Sequence, residues 1–165
     1  MKSAWHVFYT SSRHERKCEL RLSSEGYIVF VPLIDVMRQW SDRTKKVKAP
    51  LFPGYIFVKC NENQVATVSG FQGIVGPLRF ADGYAQVREH EIKAIKLLIS
   101  TGAFAEAVTG DVTIGDKVVI DDGPLKGIEG KCVMEGGSNY MYVEVASIDQ
   151  SIRFKLPAGL LRKIE

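Results

Sequence analysis

Long apolar runs, a signal sequence and paired cysteines are all missing from this chain of 165 residues. No apolar run approaches the ~20 residues that a membrane-spanning helix needs, and residues 1–5 lack the apolar core of a signal peptide. The cysteines Cys18, Cys60 and Cys132 lie far apart and outside any CxxC or Cys/His spacing. We therefore expect a cytoplasmic protein with no membrane association, no disulfides and no metal site.

The sequence also lacks the motifs of the common enzyme classes. His6, His14 and His90 stand in unrelated contexts, with no nucleophile motif and no metal-ligand spacing beside them. Neither a Walker loop nor a GxGxxG loop occurs. We expect a protein that is not an enzyme and that needs no cofactor.

Net charge is small at +3, but it is divided unevenly along the chain. Residues 1–103 carry 15 Lys and Arg against 9 Asp and Glu, whereas residues 104–165 carry 7 against 10. A basic first part and an acidic second part indicate different partners, and the basic part is the candidate for nucleic acid. A surplus of six charges is also compatible with an ordinary solvated surface.

Residues 49–59 form the stretch around which the chain is organised. Pro50, Pro53 and Gly54 indicate a rigid bend, and the aromatic and β-branched run that follows predicts a strand. Alternation places Tyr55 and Phe57 on one face and Ile56 and Val58 on the other. Because both faces are apolar, we expect a central strand that is covered on both sides.

The first part of the chain has the pattern of an α+β sandwich. Strands are predicted near residues 5–9, 27–33, 55–60 and 74–80, and helices from Ser12 to about Ser24 and from Glu89 to Ser100. Ser12 and Glu15 have the spacing of a capping box. We predict a mostly antiparallel four-stranded sheet flanked by helices, over residues 1–103.

Two basic segments of that part are candidates for contact with nucleic acid. Residues 36–48 predict an exposed hairpin or loop in which basic side chains alternate with one aromatic, which suits nucleic acid or a polymerase surface. The first helix carries a second basic group. Solvated charged surfaces would give the same patterns. The candidate residues are Arg13, His14, Arg16, Lys17, Arg38, Trp40, Arg43, Lys45 and Lys46.

The last part of the chain predicts a small all-β domain. Weak patterning over residues 104–112 predicts a linker, and residues 113–165 contain about five short strands separated by turn signals. This pattern favours a five-stranded SH3-like barrel. The glycines Gly123, Gly127 and Gly130 have the spacing of a KOW motif, where tight turns and close backbone approach require glycine.

These motifs and their order resemble the NusG family of transcription elongation factors. The run Phe52-Pro53-Gly54-Tyr55 is similar to the family signature, and a KOW-like domain follows a first strand that contains Trp5. The segment from Arg38 to Arg43, with the lysines after it, resembles the specialised RfaH and UpxY paralogues, which act as antiterminators on operons such as those for capsular polysaccharide.

The resemblance implies partners and site residues. The first domain would bind the clamp helices of bacterial RNA polymerase, steady the closed elongation complex and suppress pausing or termination as a monomer. Non-template DNA or nascent RNA would be further partners. The loop that binds Rho or a ribosomal protein in the family has no aromatic here, at Ala146-Ser147-Ile148-Asp149, which argues against those two partners. The residues matching the polymerase-binding positions are Tyr9, Phe52, Tyr55, Phe57 and Ile95.

A ribosome-associated or RNA-binding KOW protein is the alternative function. Its second domain would need a basic face, and the acidic bias of residues 104–165 argues against one.

Overall fold

The computed structural model describes residues 2–101, 105–109, 115–123, 125–155 and 161–164. Residues 2–101 form a first unit of strands and helices, and the described residues from 105 onward form a second unit made almost wholly of strands. Within these residues, no helix is long and apolar enough to cross a membrane.

The first unit follows the mixed pattern predicted for it. Its strands are β1 (Ala4–Thr10), β2 (Ile28–Phe30), β3 (Leu33–Gln39), β4 (Thr44–Pro50), β5 (Tyr55–Cys60), β6 (Ile74–Pro77), β7 (Arg79–Phe80), β8 (Gly83–Tyr84) and β9 (Gln86–Val87). Its helices are α1 (Glu15–Ser24), α2 (Val65–Ser69) and α3 (Glu89–Ser100), and a 3-10 turn (Glu62–Gln64) precedes α2.

The main sheet of the first unit has the strand order β2-β5-β1-β6, and β9 also pairs with β1. Each pairing is antiparallel. The observed sheet has five strands, one more than predicted. The sequence did not predict β9 because its two residues are too few to show alternation.

The central strand β5 is covered on both faces, as its alternation predicted. Ile56 and Val58 pack with Cys18 and Leu22 of α1 in one buried cluster. Phe57 points to the opposite face, where it joins the cluster that contains residues of α3. The sheet therefore lies between helices, and the two faces of one strand serve two separate cores.

Helix α1 begins later than the sequence indicated. Its N-cap is His14, which makes no side-chain capping bond, so the prediction of a capping box from Ser12 to Glu15 was wrong. The cause is a turn before the helix: the His14 amide donates to the Ser11 carbonyl at 3.0 Å, and Arg13 takes the left-handed φ of 62°.

The second unit contains six described strands. They are β10 (Ala105–Thr109), β11 (Asp116–Ile120), β12 (Glu129–Glu135), β13 (Ser138–Val145), β14 (Gln150–Lys155) and β15 (Leu161–Lys163), with a 3-10 turn (Ala146–Ile148) before β14. Their order is β10-β14-β13-β12-β11-β15, and every pairing is antiparallel.

The five predicted strands of the second unit are present, but the predicted barrel differs in two respects. Strand β10 comes from the predicted linker and pairs with β14 along its whole length, so the described sheet has six strands. The end strands β10 and β15 do not pair with each other within the described residues, so closure into a barrel is not seen there. Of the predicted linker, residues 104 and 110–112 lie outside the described residues.

Candidate functional site

Two tyrosines stand side by side on the α3 side of the main sheet. Tyr9 of β1 is the cross-strand partner of Tyr55 of β5, and their ring centroids are 5.2 Å apart at an interplanar angle of 44°. Directly opposite residues share a face of the sheet, which explains the contact. Tyr9 is 37% exposed and Tyr55 is half-buried, so the pair forms the accessible part of the predicted polymerase-binding surface.

The two phenylalanines of that surface are buried in the core, and Phe57 shares the face of β5 that carries Tyr55. Phe57 is fully buried and its ring lies 6.0 Å from Phe52 and 5.9 Å from Phe30. Phe52 is only 2% exposed. Burial of this kind means that the two side chains support the surface in this arrangement and do not present their own atoms to a partner.

Helix α3 supplies the last of the five predicted residues. Ile95 is 1% exposed and belongs to the same apolar cluster as Phe52 and Phe57. It lines a crevice of about 530 Å³ between α3 and the second unit, together with Val145 and Ile152. The structure therefore brings all five residues to one face.

The second unit covers this face. The Ser147 hydroxyl donates to the Glu91 carboxylate of α3 at 2.6 Å, and the Tyr55 hydroxyl shares a hydrogen bond with Gln150 at the start of β14. Burial is the main cause that raises the pKa of Tyr55 above its ordinary value, and neighbouring Tyr9 and Asp149 contribute. The predicted surface is thus an interface between the two units in this structure.

Three residues of this interface, Glu91, Ser147 and Gln150, were not found by sequence reasoning. The Glu91 carboxylate also accepts a bond from the Arg88 amide at 2.9 Å, which caps the start of α3. An acidic residue in a first helical turn is ordinary, so no signal in the sequence marks its second role. Ser147 and Gln150 have no signal either, because their role depends on where the second unit sits.

The nine residues predicted to bind nucleic acid fall on two separate elements. At the start of α1, His14 contacts the Ser12 carbonyl at 2.8 Å through Nδ1, and Arg16 forms an ion pair with Glu19 at 3.3 Å. Within the described residues, Arg13 and Lys17 form no ion pair. This group therefore keeps two uncompensated cations beside the first turn of the helix.

The other predicted residues lie on a two-stranded hairpin made by β3 and β4. The sequence predicted an exposed hairpin or a loop here, and the structure shows a hairpin with seven cross-strand pairs. Trp40 lies in its turn and is 55% exposed. Lys46 forms an ion pair with Asp35 at 3.3 Å. Among the predicted cations of the hairpin, Lys46 therefore already has an acidic partner on the hairpin itself.

A crevice of about 800 Å³ lies apart from all these residues. It is bordered by Trp5, whose indole N–H donates to Glu89 at 2.9 Å, and by Lys59, whose ammonium lies 3.8 Å from the same carboxylate. None of the predicted site residues lines it. This crevice thus does not mark the predicted functional surface.

Comparison with known proteins identifies the family. The family model described as "Transcription termination factor nusG" matches residues 3–96, which include both tyrosines, Phe52, Phe57 and Ile95. The chain belongs to the NusG family. The match ends at α3, so it concerns the first unit.

Similar proteins extend the likeness to the second unit. The transcription termination/antitermination protein NusG of Lactococcus lactis is 27% identical over 139 residues, covering 76% of this chain and 74% of the relative. The protein of the same name from Streptococcus pyogenes is 27% identical over 143 residues, covering 78% and 79%. The structure described as "Domain interaction in Thermotoga maritima NusG" superposes with a TM-score of 0.57 at 23% identity, over 100% of this chain and 99% of that one. This last likeness shows a shared fold.

Proposed function

We propose that this chain is a transcription termination/antitermination factor that binds bacterial RNA polymerase. The carrying observation is the match of the NusG family model to residues 3–96. The relatives from L. lactis and S. pyogenes bear that function in their names. Binding at the clamp helices would favour the closed elongation complex by the difference in binding free energy between closed and open clamps, and so suppress pausing or termination.

The surface proposed for polymerase binding is the face formed by Tyr9 and Tyr55 together with the buried side chains of Ile95, Phe52 and Phe57. Its support is geometric: five residues chosen from the sequence lie in one continuous apolar and aromatic area. Since the second unit covers this area, the polymerase would bind a form in which the two units have separated. If about 1% of molecules are open, the apparent affinity falls about a hundredfold below that of the open form.

The finer assignment is to an operon-specific factor of the RfaH and UpxY type, serving operons such as those for capsular polysaccharide. It rests on the resemblance of the basic hairpin segment. We propose further that the protein works in the cytoplasm as a monomer without enzymatic activity, and that non-template DNA or nascent RNA contacts the basic residues of α1 and the hairpin. The turn at residues 146–148 lies against the first unit, so Rho or a ribosomal protein could reach it only after separation.

Binding of the purified chain to core RNA polymerase tests the docking surface. The Tyr9→Ala, Tyr55→Ala double variant should bind more weakly, because truncating desolvated aromatics at an interface centre costs about 2–4 kcal/mol. Loss of the Tyr55–Gln150 hydrogen bond favours the separated form and offsets part of that cost. Leu20→Ala removes a side chain that is 67% exposed on α1 and should bind like the wild type. Phe57 is left unchanged because its truncation would open a cavity in the core.

Three outcomes are informative. Loss of binding by the folded double variant alone supports the proposed surface. Equal binding by all three proteins places the polymerase on another surface. No binding by any of them, together with selective binding of structured RNA, would favour an RNA-binding KOW protein instead.

A further inference from the structure

The hairpin of β3 and β4 has two faces with opposite charge arrangements. Directly paired residues share a face, and the register pairs Asp35 with Lys48, Val36 with Val47, Met37 with Lys46 and Arg38 with Lys45. We name the first face the acidic-lysine face; its residues are Asp35, Met37, Lys46 and Lys48. We name the other the open face; its residues are Ile34, Val36, Arg38, Lys45, Val47 and Ala49.

Charges on the acidic-lysine face are partly compensated within the hairpin, because one carboxylate faces two ammonium groups. Asp35 contacts the ammonium of Lys48 at 2.7 Å and that of Lys46 at 3.3 Å. The hydrogen bond from Lys48 is the largest cause that holds the pKa of Asp35 below its ordinary value. The two lysines thus have a carboxylate partner before any ligand arrives.

Charges on the open face are not compensated. Arg38 and Lys45 are cross-strand partners, and like charges placed directly opposite each other destabilise a sheet. No acidic residue belongs to this face, and within the described residues neither cation forms an ion pair. An external anion would remove this repulsion, so the pair is arranged for a ligand with negative charge.

The turn of the hairpin adds an aromatic surface beside that pair. The Trp40 amide donates to the Arg43 carbonyl at 2.7 Å and closes the turn. The Trp40 side chain is 55% exposed, and its ring makes no aromatic or cation–π contact within the described residues. Arg43 likewise forms no ion pair there. An exposed indole next to free cations is the combination with which proteins hold unpaired bases and their phosphates.

We infer that the open face and the turn bind single-stranded nucleic acid, with Arg38 and Lys45 on phosphates and a base stacked on Trp40. The inference rests on the nucleic-acid part of the proposed function and defines which face carries it. It assigns the binding to Arg38, Lys45, Trp40 and Arg43, and it excludes Lys46. An acidic protein surface would match the cations but would give the exposed indole no base to stack on.

Fluorescence anisotropy with labelled oligothymidylate, over a series of KCl concentrations, tests the inference on the whole 165-residue chain. The variant Arg38→Gln, Lys45→Gln should bind more weakly, and its salt slope should fall by about 1.4, since each single-strand phosphate contact contributes about 0.7. The matched variant Lys46→Gln, Lys48→Gln removes the same charge from the acidic-lysine face and should change the slope much less. Circular dichroism and thermal unfolding check that both variants fold.

Trp40→Ala separates stacking from charge. It should weaken binding about tenfold at every salt concentration and leave the salt slope unchanged, because stacking is sequence-tolerant and releases no counterions. Labelled oligouridylate in a parallel series determines whether DNA or RNA is the better ligand, and either result agrees with the inference.

Two results would overturn the inference that the hairpin binds single-stranded nucleic acid. Equal changes of the salt slope in the Arg38→Gln, Lys45→Gln variant and the Lys46→Gln, Lys48→Gln variant would show that binding depends only on the total charge of the hairpin. A duplex bound as tightly as the single strands, with no effect of Trp40→Ala, would show that unpaired bases play no part. Because no polymerase is present in this assay, failure here is distinguishable from failure of the polymerase-binding proposal.

Discussion

Asp35 determines, at the scale of single residues, how the charge of the hairpin is divided. It is the one acidic residue on the two strands of the hairpin, and it takes Lys46 and Lys48 as partners. The sequence showed a basic run and gave no reason to separate Lys46 from Lys45. Lys45 and Lys46 lie on different faces of the hairpin because neighbouring residues on a strand point to opposite faces.

The titration of Asp35 gives a direct prediction. We expect its carboxyl to titrate below 3.8 in an NMR pH series, because hydrogen bonds from Lys48 and Lys46 favour the charged form. A pKa lowered on folding stabilises the hairpin above the ordinary pKa, and that stabilisation is lost as the pH falls through the folded value. Lys46→Gln, Lys48→Gln should bring the midpoint back toward 3.8.

The control for that titration is the Arg38→Gln, Lys45→Gln variant, which removes two charges from the other face and should leave the Asp35 midpoint nearly unchanged. A wild-type midpoint at or above 3.8 would contradict the ion pairs on which the division of the hairpin is based.

At the scale of elements, the pattern of the sequence was most informative for α3 and β5. Helix α3 runs from Glu89 to Ser100 as its isoleucine spacing predicted, and the two faces of β5 were assigned correctly. The start of α1 was missed because a left-handed Arg13 places a turn before it. Strands β9 and β10 were missed because pairing with a neighbour, and not alternation, makes them strands.

Gly130 offers a prediction about the packing of β12 on β13. A Cβ at this position would meet the Tyr142 carbonyl oxygen of the neighbouring strand and would lie 2.9 Å from Met141 Cε. Because backbone cannot move aside cheaply, Gly130→Ala should destabilise the second unit by roughly 1–3 kcal/mol. Urea unfolding followed by circular dichroism measures the effect.

Gly76→Ala in β6 is the matched control, since a Cβ there meets nothing within 4 Å. It should change stability by less than about 1 kcal/mol. Equal effects of the two substitutions would mean that the close approach of β12 and β13 is not the reason for glycine at 130.

At the scale of the whole molecule, the placement of the second unit was beyond prediction. Alternation and resemblance selected Tyr9, Tyr55 and Ile95 as one surface, and the structure brings them together. Whether that surface faces solvent or the second unit depends on a few contacts from an irregular segment around Ser147. Such contacts leave no periodic signal, because each is made once and between residues distant in sequence.

If the polymerase binds the face that the second unit covers, as proposed, separation of the two units must precede binding. Ser147→Glu would place a second carboxylate beside Glu91, where the serine hydroxyl now donates at 2.6 Å. Repulsion between the two should favour the separated form, and a change of about 1.4 kcal/mol in this equilibrium would alter the ratio of the two forms tenfold. We expect the variant to bind core RNA polymerase more tightly than the wild type, and to lose the NMR contacts between Tyr55 and Gln150.

Met134→Glu adds the same charge at a side chain that is 71% exposed on β12, so it should alter neither polymerase affinity nor those NMR contacts. A Ser147→Glu variant whose units have separated without any gain in affinity would show that the covered face is not where the polymerase binds. A gain in affinity together with loss of the Tyr55–Gln150 contacts would link polymerase binding to separation of the units, because a ligand that binds one form better shifts the population toward that form.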